Sequence, residues 1–271
     1  MYESYWQLST RPFEDAADQR LYYPSEGHQG ALLKLRYAIE NRRSGALLVG
    51  APGLGKTLLI RSLARQLPAT EFPFVQLLFP QLAPSELVAY ITEELTGIQP
   101  LGTPTDRYLR RLQSYLAEMG REGKHLVLVF EEAHLLRESS NLETIRLLMN
   151  FEHQAVPAMT VLLVGQPSLL PALRRLPELE ERLDAKCLLH RFNIEETISY
   201  IQHRLSVAGA VQPIFDDAAL EAIYHLSQGT PRRINRLGDL ALLLGYAEEL
   251  PLITARHIES LAEEMLVSSN D

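Results

Sequence analysis

The 271-residue chain has little cysteine, no long apolar run and no excess of positive charge. Its single cysteine, Cys187, cannot form an intrachain disulfide, which favours a reducing compartment and a buried thiol. No apolar run approaches the roughly 20 residues that a membrane-spanning helix needs, and the start MYESYWQLST lacks the Lys or Arg of a signal peptide. The sequence therefore predicts a cytoplasmic protein without an intrinsic membrane span.

The charge balance is acidic. With 26 Lys and Arg against 34 Asp and Glu, the formal net charge is -8, which argues against bulk electrostatic adhesion to nucleic acid or anionic membrane but leaves room for a local basic face. The 8 histidines have neither cysteine pairs nor metal-ligand spacing around them, so no zinc site is predicted.

Short apolar runs alternate with helical patterns in the first part of the chain. The runs are ALLVG at 46–50, FVQLLF at 74–79, LVLVF at 126–130, TVLLVG at 160–165 and a weaker CLLHRF at 187–192. Because they are apolar on both faces, they are typical of parallel strands covered by helices. Residues 105–120 carry an apolar stripe at helical spacing and end at a glycine. The alternation predicts an α/β sheet with right-handed crossovers.

After about residue 193 the strand signal disappears and only helical patterns follow. They lie near 194–208, 216–228, 231–248 and 255–267, with Gly209, Gly229, Thr230 with Pro231, and Thr254 at their ends. We therefore predict a sheet-containing core with an N-terminal extension at 1–193, an all-helical domain at 194–267 and a polar tail at 268–271.

A glycine-rich loop follows the first predicted strand. It reads GAPGLGKT at 50–57 and precedes the helical pattern LLIRSLARQL, so it fits G-x-x-x-x-G-K-[ST] in the strand–loop–helix context that the motif needs. Glycines permit torsions that turn successive N–H groups inward, toward a β-phosphate. Lys56 is expected to neutralise β- and γ-phosphate oxygens, and Thr57 to supply a hydroxyl ligand to Mg²⁺. The residues predicted to bind ATP here are Gly50, Ala51, Pro52, Gly53, Leu54, Gly55, Lys56, Thr57 and Leu58.

Two adjacent carboxylates, Glu131 and Glu132, follow the run LVLVF. The strand is expected to lie beside the phosphate-loop strand or one place away, so both acids emerge at its carboxyl end, where ligands of open α/β sheets bind. Glu131, where most ATPases of this layout have Asp, is then the acid on the Mg²⁺ side. Glu132 is the general base for the attacking water. A simpler reading is that EEAH starts a solvated helix, since acids favour helix N-termini.

An ordered series of further motifs runs along the chain. They are YWQLSTRPF at 5–13, DQRLYYPSEGHQGAL at 18–32, EEAHLL at 131–136, VGQPSLL at 164–170, TISYIQHRLSVAGA at 197–210 and GTPRRINRLGDLALLLGYA at 229–247. In the second of these, Asp18, Tyr23, Ser25 and His28 match a family pattern D-P-x-x-x-Y-x-S-x-x-H. Together the motifs resemble the general secretion pathway protein A-like AAA+ ATPases, which are related to the ATPases of some transposition systems. The resemblance implies an AAA+ P-loop NTPase fold, with a five-stranded parallel sheet, helices on both faces and a smaller all-α lid domain.

The resemblance also implies roles for residues outside the loop and the acid pair. Arg232 matches the family's G-x-P-R sensor 2 motif and is expected to point toward the γ-phosphate; the alternative is an ordinary basic helix start, since Arg233 and Arg236 are neighbours. Gln166, at the end of TVLLVG, occupies the sensor 1 place and is expected to orient the attacking water.

Arg182 takes the position of an arginine finger, with Arg174 and Arg175 as competitors. A finger acts across a subunit boundary, so this assignment implies an oligomer. The alternative is a helix-face salt bridge from Arg182 to Glu178. Tyr23 and His28 are expected near the adenine by family position, or are packing residues.

The function implied is Mg²⁺-dependent ATP hydrolysis that drives assembly or remodelling of a partner complex in secretion or cell-envelope export. A homo-oligomer, ring or filament, is expected in the cytoplasm, reaching the inner membrane only through a partner. Two alternatives stay open. One is a transposition regulator that binds duplex DNA through the arginine pairs at 42–43, 110–111, 174–175 and 232–233. The other is an ATP-binding switch with very low turnover, motivated by Glu131.

Overall fold

The computed structural model describes residues 1–14, 21–78, 81–97, 104–136 and 139–267. Contacts divide the chain into two compact units. The first unit comprises Met1–Glu26, Gly53–Gly55 and His190–Asp271, and the second comprises Gly27–Pro52 and Lys56–Leu189. The predicted tail at 268–271 and Asp18 of the family pattern lie outside the described residues.

The helices and strands are numbered here in chain order. The helices are α1 (Tyr2–Tyr5), α2 (Glu26–Glu40), α3 (Lys56–Gln66), α4 (Pro84–Thr96), α5 (Thr105–Arg121), α6 (Ser139–Leu148), α7 (Leu170–Arg174), α8 (Pro177–Glu180), α9 (Ile194–Val207), α10 (Asp217–Ser227), α11 (Pro231–Ala247) and α12 (Ala255–Val267). The strands are β1 (Gly45–Gly50), β2 (Phe74–Leu77), β3 (Leu126–Phe130), β4 (Glu152–His153), β5 (Val156–Pro157), β6 (Met159–Gly165) and β7 (Leu183–Leu189). Short 3-10 helices lie at Ala133–Leu135 and Pro167–Leu169.

The second unit is built on the predicted five-stranded sheet. Its strand order is β2-β3-β6-β1-β7, and every neighbouring pair is parallel. All residues of β1, β3 and β6 are buried. Central strands covered by helices on both faces need apolar side chains in both directions, which is why these three read as continuous apolar runs. The predicted α/β fold with a helical C-terminal part is confirmed.

Two strands, β2 and β7, differ from the sequence-based prediction by more than one residue. Strand β2 ends at Leu77 rather than at residue 79, and residue 79 lies outside the described residues. The fifth strand was predicted at 187–192, but β7 occupies Leu183–Leu189. As an edge strand, β7 alternates buried and exposed residues, and therefore lacks the apolar run by which the others were found.

Between α6 and β6 the chain forms a small antiparallel hairpin, β4–β5, which the sequence did not predict. Its two tip residues, Gln154 and Ala155, have φ of 53° and 61°, the left-handed region that Gly and Asn usually occupy in such turns. Because the turn contains neither Gly nor Asn, the sequence gives no hairpin signal here.

Helix α5 runs one residue past the predicted stop at Gly120, because that glycine is a helix residue packed against the His153 ring.

The helices of the first unit follow the predicted pattern closely. Asn193 caps α9 by accepting a hydrogen bond from the Glu196 N–H, and Asp216 caps α10 in the same way through Ala219. Gly229, with φ of 65°, separates α10 from α11. A Cβ there would lie 1.9 Å from the Phe192 carbonyl oxygen, so only glycine fits.

The N-terminal segment belongs to this helical unit, whereas the sequence-based division grouped it with the sheet. The Trp6 indole N–H donates to the Leu242 carbonyl at 2.9 Å, and the Phe13 ring lies against Gly238. The buried Arg204 guanidinium donates to the carbonyls of Pro12, Glu14 and Leu21. The motif YWQLSTRPF is thus a strap whose aromatic residues complete the core of the helical unit.

Candidate functional site

Three adjacent strands of the second unit end at one edge of the sheet. Strand β6 lies between β3 and β1, so the phosphate-loop strand and the strand before the acid pair are one place apart, as one of the two predicted arrangements requires. Because all three strands are parallel, their carboxyl ends bring the start of the glycine-rich loop, Gln166 and Glu131 to the same edge. This edge is where ligands of open α/β sheets bind.

The loop after β1 has the torsions of a phosphate-binding turn. Gly53 and Gly55 have φ of 81° and 83°, which side chains other than glycine rarely adopt. Helix α3 begins at Lys56, directly after the loop, so its unpaired N-terminal amides face the same place. The buried Lys56 ammonium donates to the carbonyls of Gly50 at 2.8 Å and Ala51 at 3.1 Å, which holds a positive charge against the loop.

Thr57 and Glu131 meet at the base of this helix. The Thr57 hydroxyl donates to Glu131 Oε2 at 3.3 Å. Glu131 is only 4% exposed, and its other oxygen, Oε1, has no hydrogen-bond partner in the protein. Burial raises the pKa of Glu131 above its usual range, although the Thr57 hydroxyl acts in the opposite direction. An orphaned buried carboxylate oxygen beside a hydroxyl suits a hard divalent cation, so these residues fit Mg²⁺.

Glu132 differs from Glu131 in its exposure and its surroundings. Its side chain is about half exposed, at 48%, and its backbone is left-handed with φ of 50° and ψ of 33°. Such torsions are uncommon for a residue with a Cβ, and they turn the chain sharply out of β3 into the 3-10 helix. The adjacent acids therefore face different surroundings, one buried and one open to solvent.

Gln166 follows β6 and is half-buried, with an extended backbone. The glycine before it is needed for a close approach, because a Cβ on Gly165 would lie 3.0 Å from the His134 backbone nitrogen. Gly165 thus lets the turn that carries Glu132 and His134 pack directly onto the end of β6.

Arg232 lies in the first turn of α11, in the first unit, and its side chain is exposed. Its backbone N–H donates to the Gly53 carbonyl at 3.3 Å, and a Cβ on Gly53 would lie 2.9 Å from the Arg232 Cβ. Gly53 belongs to the same contact unit, so α11 begins against the middle of the glycine-rich loop. The Thr230 side chain makes no capping hydrogen bond, although Pro231 opens the helix as predicted.

The remaining predicted residues are more scattered. Arg182 precedes β7 at the amino edge of the sheet, and its carbonyl accepts from the Ser44 hydroxyl. Its predicted alternative partner, Glu178, pairs with Arg146 at 3.0 Å instead. Tyr23 belongs to an aromatic cluster of the first unit with Phe192, Tyr200 and His203. His28 is buried in the second unit, on α2.

Comparison with known proteins gives matches across most of the chain. A family model described as "AAA domain" matches residues 39–173, from the end of α2 to α7. The chain is 36% identical over 254 residues to general secretion pathway protein A of Aeromonas hydrophila, an alignment that covers 91% of this chain. The chain spans only 45% of that protein's length.

Solved structures match over both units. The ORC2 protein of Aeropyrum pernix, solved with ADPNP and ADP, superposes with a TM-score of 0.69 at 17% identity, covering 94% of this chain and 72% of that one. The RuvB Holliday junction branch migration motor of Thermotoga maritima gives a TM-score of 0.59 at 23% identity, covering 92% and 74%. At these identities the likeness extends to the fold alone. Within the described residues, no helix is both long and apolar enough to cross a membrane.

Proposed function

Since the chain has the AAA+ P-loop fold and resembles general secretion pathway protein A, we propose that it hydrolyses ATP with Mg²⁺. The observation that carries the proposal is the pairing of Thr57 with the buried, partly orphaned carboxylate of Glu131, one strand away from the glycine-rich loop. A hydroxyl and a carboxylate placed this way match the metal-binding part of phosphoryl-transfer sites.

Each residue then has a defined task. The loop amides and the α3 N-terminus bind the phosphates, and Lys56 exchanges its loop carbonyls for β- and γ-phosphate oxygens. Thr57 and Glu131 hold Mg²⁺, which supplies electrostatic stabilisation of the charge developing on the phosphate oxygens. Glu132 accepts the proton of the attacking water, and Gln166 orients that water.

Arg232 and Arg182 are proposed to complete the site. Arg232 senses the γ-phosphate, supported by the contact of its backbone with Gly53. Arg182 acts as a finger toward a second copy of the chain, supported by its lack of an ion pair among the described residues, since Glu178 pairs with Arg146. Tyr23 and His28 are retained as adenine contacts on family position alone. A homo-oligomer follows from the finger role.

The proposed cellular task is assembly or remodelling of a secretion or envelope-export complex. It is supported by the 36% identity to general secretion pathway protein A, which this chain matches over 45% of that protein's length. The cytoplasm, with the inner membrane reached through a partner, is the proposed location.

Nucleotide binding is tested by substituting Lys56. We expect Lys56→Ala to weaken ATP binding by more than about 10-fold, because a buried cation facing the phosphates is lost. The measurement is the dissociation constant of a fluorescent ATP analogue in the presence and absence of Mg²⁺, with Arg65→Ala, on an exposed position of the same helix, as control. Equal affinities for Lys56→Ala and the unsubstituted protein would remove the basis of the proposal.

A further inference from the structure

A histidine outside the predicted site lies beside the proposed base. His134 is on the 3-10 helix Ala133–Leu135, two residues after Glu132, and its side chain is 8% exposed. Its Nδ1 lies 3.3 Å from Glu132 Oε2, the distance of an ion pair, although the orientation is not that of a hydrogen bond. Within the described residues, this buried nitrogen has no other partner.

A buried imidazole nitrogen without a partner is costly unless something uses it. An unsatisfied buried polar group costs on the order of the desolvation free energy that a hydrogen bond would offset. Glu132 Oε2 lies 3.3 Å from Nδ1, and the Glu132 side chain is half exposed, so its carboxylate has room to turn toward Nδ1. The buried ring is the fixed member of the pair and the carboxylate is the movable one.

The backbone holds the two groups on one rigid turn. Glu132 adopts left-handed torsions, and its carbonyl accepts from the Leu135 N–H at 2.8 Å. The turn packs against Gly165, where a Cβ would lie 3.0 Å from the backbone nitrogen of His134. The backbone that carries His134 is therefore packed on the end of β6, the same strand that precedes Gln166.

We propose that His134 is a positioning residue for Glu132. The Nδ1–H of the ring donates to one carboxylate oxygen and leaves the other oxygen directed at the attacking water. His134 transfers no proton: the water proton goes to Glu132 while the water oxygen bonds to the γ-phosphorus and the bond to the bridging oxygen breaks. The inference rests on the proposed ATP hydrolysis, and it assigns to the acid pair a third residue without which the base is misoriented.

A competing interpretation is that His134 only fills space under the turn. The two differ in what a substitution does, because filler can be replaced by an apolar side chain of similar size, whereas a donor cannot. His134→Leu keeps bulk and removes the donor. His134→Gln keeps an N–H donor near the same place.

The test compares steady-state phosphate release at saturating ATP and Mg²⁺. We expect His134→Leu to lower kcat by roughly 10-fold to 100-fold with little change in KM for ATP, because a misplaced base affects the chemical step. His134→Gln should recover much of the loss. The double variant Glu132→Gln with His134→Leu should be no slower than Glu132→Gln alone, since His134 acts only through that carboxylate.

A matched control is His125→Leu, which replaces another buried histidine of the same unit at the opposite edge of the sheet. It should lower the thermal midpoint but leave kcat unchanged below that midpoint. The inference is overturned if His134→Leu keeps the original kcat, if His134→Gln is as slow as His134→Leu, or if the losses in the double variant multiply. Absence of phosphate release from the unsubstituted protein would instead overturn the proposed hydrolysis.

Discussion

At the scale of single residues, the acid pair shows how environment separates two identical side chains. Glu131 is buried with a raised pKa and an oxygen that lacks a protein partner, while Glu132 is half exposed on a strained turn. The extra methylene of Glu131, compared with Asp, is consistent with its reach to the Thr57 hydroxyl at 3.3 Å. Because Glu131 stands where most ATPases of this layout have Asp, we expect ATP turnover that is retained but slow.

Glu131→Gln should raise the free energy of unfolding and lower the rate of ATP hydrolysis. Burial raises the pKa of Glu131, so its ionised form destabilises the fold above the pKa of the unfolded chain, and this penalty grows as pH rises through that window. A neutral amide removes the penalty, and we expect a gain on the order of 1 kcal/mol at pH 8 without Mg²⁺. Urea unfolding measures the gain, and phosphate release measures the loss.

Glu132→Gln is the matched control, because its carboxylate is exposed and little stability should change. An equal or lower unfolding free energy for Glu131→Gln would show that the buried carboxylate is already compensated.

At the scale of elements, buried strands and capped helices were predictable, while solvent-facing strands and turns were not. Strands β1, β3 and β6 are buried along their whole length and are therefore recognisable in the sequence as apolar runs. Helices α9 to α12 carry Asn193, Asp216 and Gly229 at their ends. Edge strand β7 has only a weak and shifted signal, since its residues alternate between buried and exposed, and the β4–β5 hairpin has none, since its turn lacks Gly or Asn.

The candidate site also contains features that the sequence predicts and contacts that it does not. The placement of the glycine-rich loop and Glu131 at one end of the sheet follows from the sequence, because the motif has fixed residue types at fixed spacing after predicted strands. The sequence does not predict the packing of Gly165 against the turn that carries His134, because that contact joins two elements distant in sequence. The contacts of Trp6 with Leu242 and of Phe13 with Gly238 are likewise not predictable from the motif YWQLSTRPF, because the partners lie more than 200 residues away in the chain.

A contact between His125 and Thr160 is expected to make the free energy of unfolding depend on pH. His125 directly precedes β3, and its Nε2 lies 2.8 Å from the Thr160 hydroxyl on β6. That hydroxyl donates to the Arg43 carbonyl at 2.6 Å. The hydroxyl proton is thereby used, so Nε2–H donates to Thr160. Burial lowers the pKa of His125 to about 4, with a smaller contribution from Arg42.

Because this pKa is depressed, the unfolded chain binds a proton at a higher pH than the folded protein. Stability should therefore fall as pH drops from about 6.5 to about 4, by about 3 kcal/mol in all. Urea unfolding of the protein and of His125→Gln at pH 7 and pH 4.5 measures this. We expect a smaller decrease for the variant; parallel decreases would show that His125 is not the titrating group.

At the scale of the whole molecule, chain order and contact units do not coincide. Residues 1–26 join the helices that follow residue 190, which lie far away in sequence. Arg204 is central to this union, because its buried guanidinium donates to three carbonyls of the N-terminal segment and lies over the Tyr200 ring. The helical unit should consequently be incomplete without its N-terminal strap.

Arg204→Met should destabilise the protein by about 3 kcal/mol or more, since it leaves buried carbonyls without donors. Arg204→Lys should be intermediate, because an ammonium cannot match the planar fork of donors. Chemical unfolding followed by the fluorescence of Trp6, which lies in the strap, reports on the affected unit. The control is Gln202→Ala, at an exposed position of the same helix. Equal stabilities of the Arg204→Met and Gln202→Ala proteins would contradict the stabilising role of the Arg204 hydrogen bonds.

The central claim, that the acid pair at the end of β3 belongs to a hydrolytic site, is tested most directly by phosphate release from ATP with Mg²⁺ for the protein and for Glu132→Gln. We expect measurable turnover, at least about 100-fold slower in the variant, with ATP binding retained because Glu132 acts on water rather than on the nucleotide. Turnover that is unchanged by Glu132→Gln, or equally absent in both proteins, would contradict the claim.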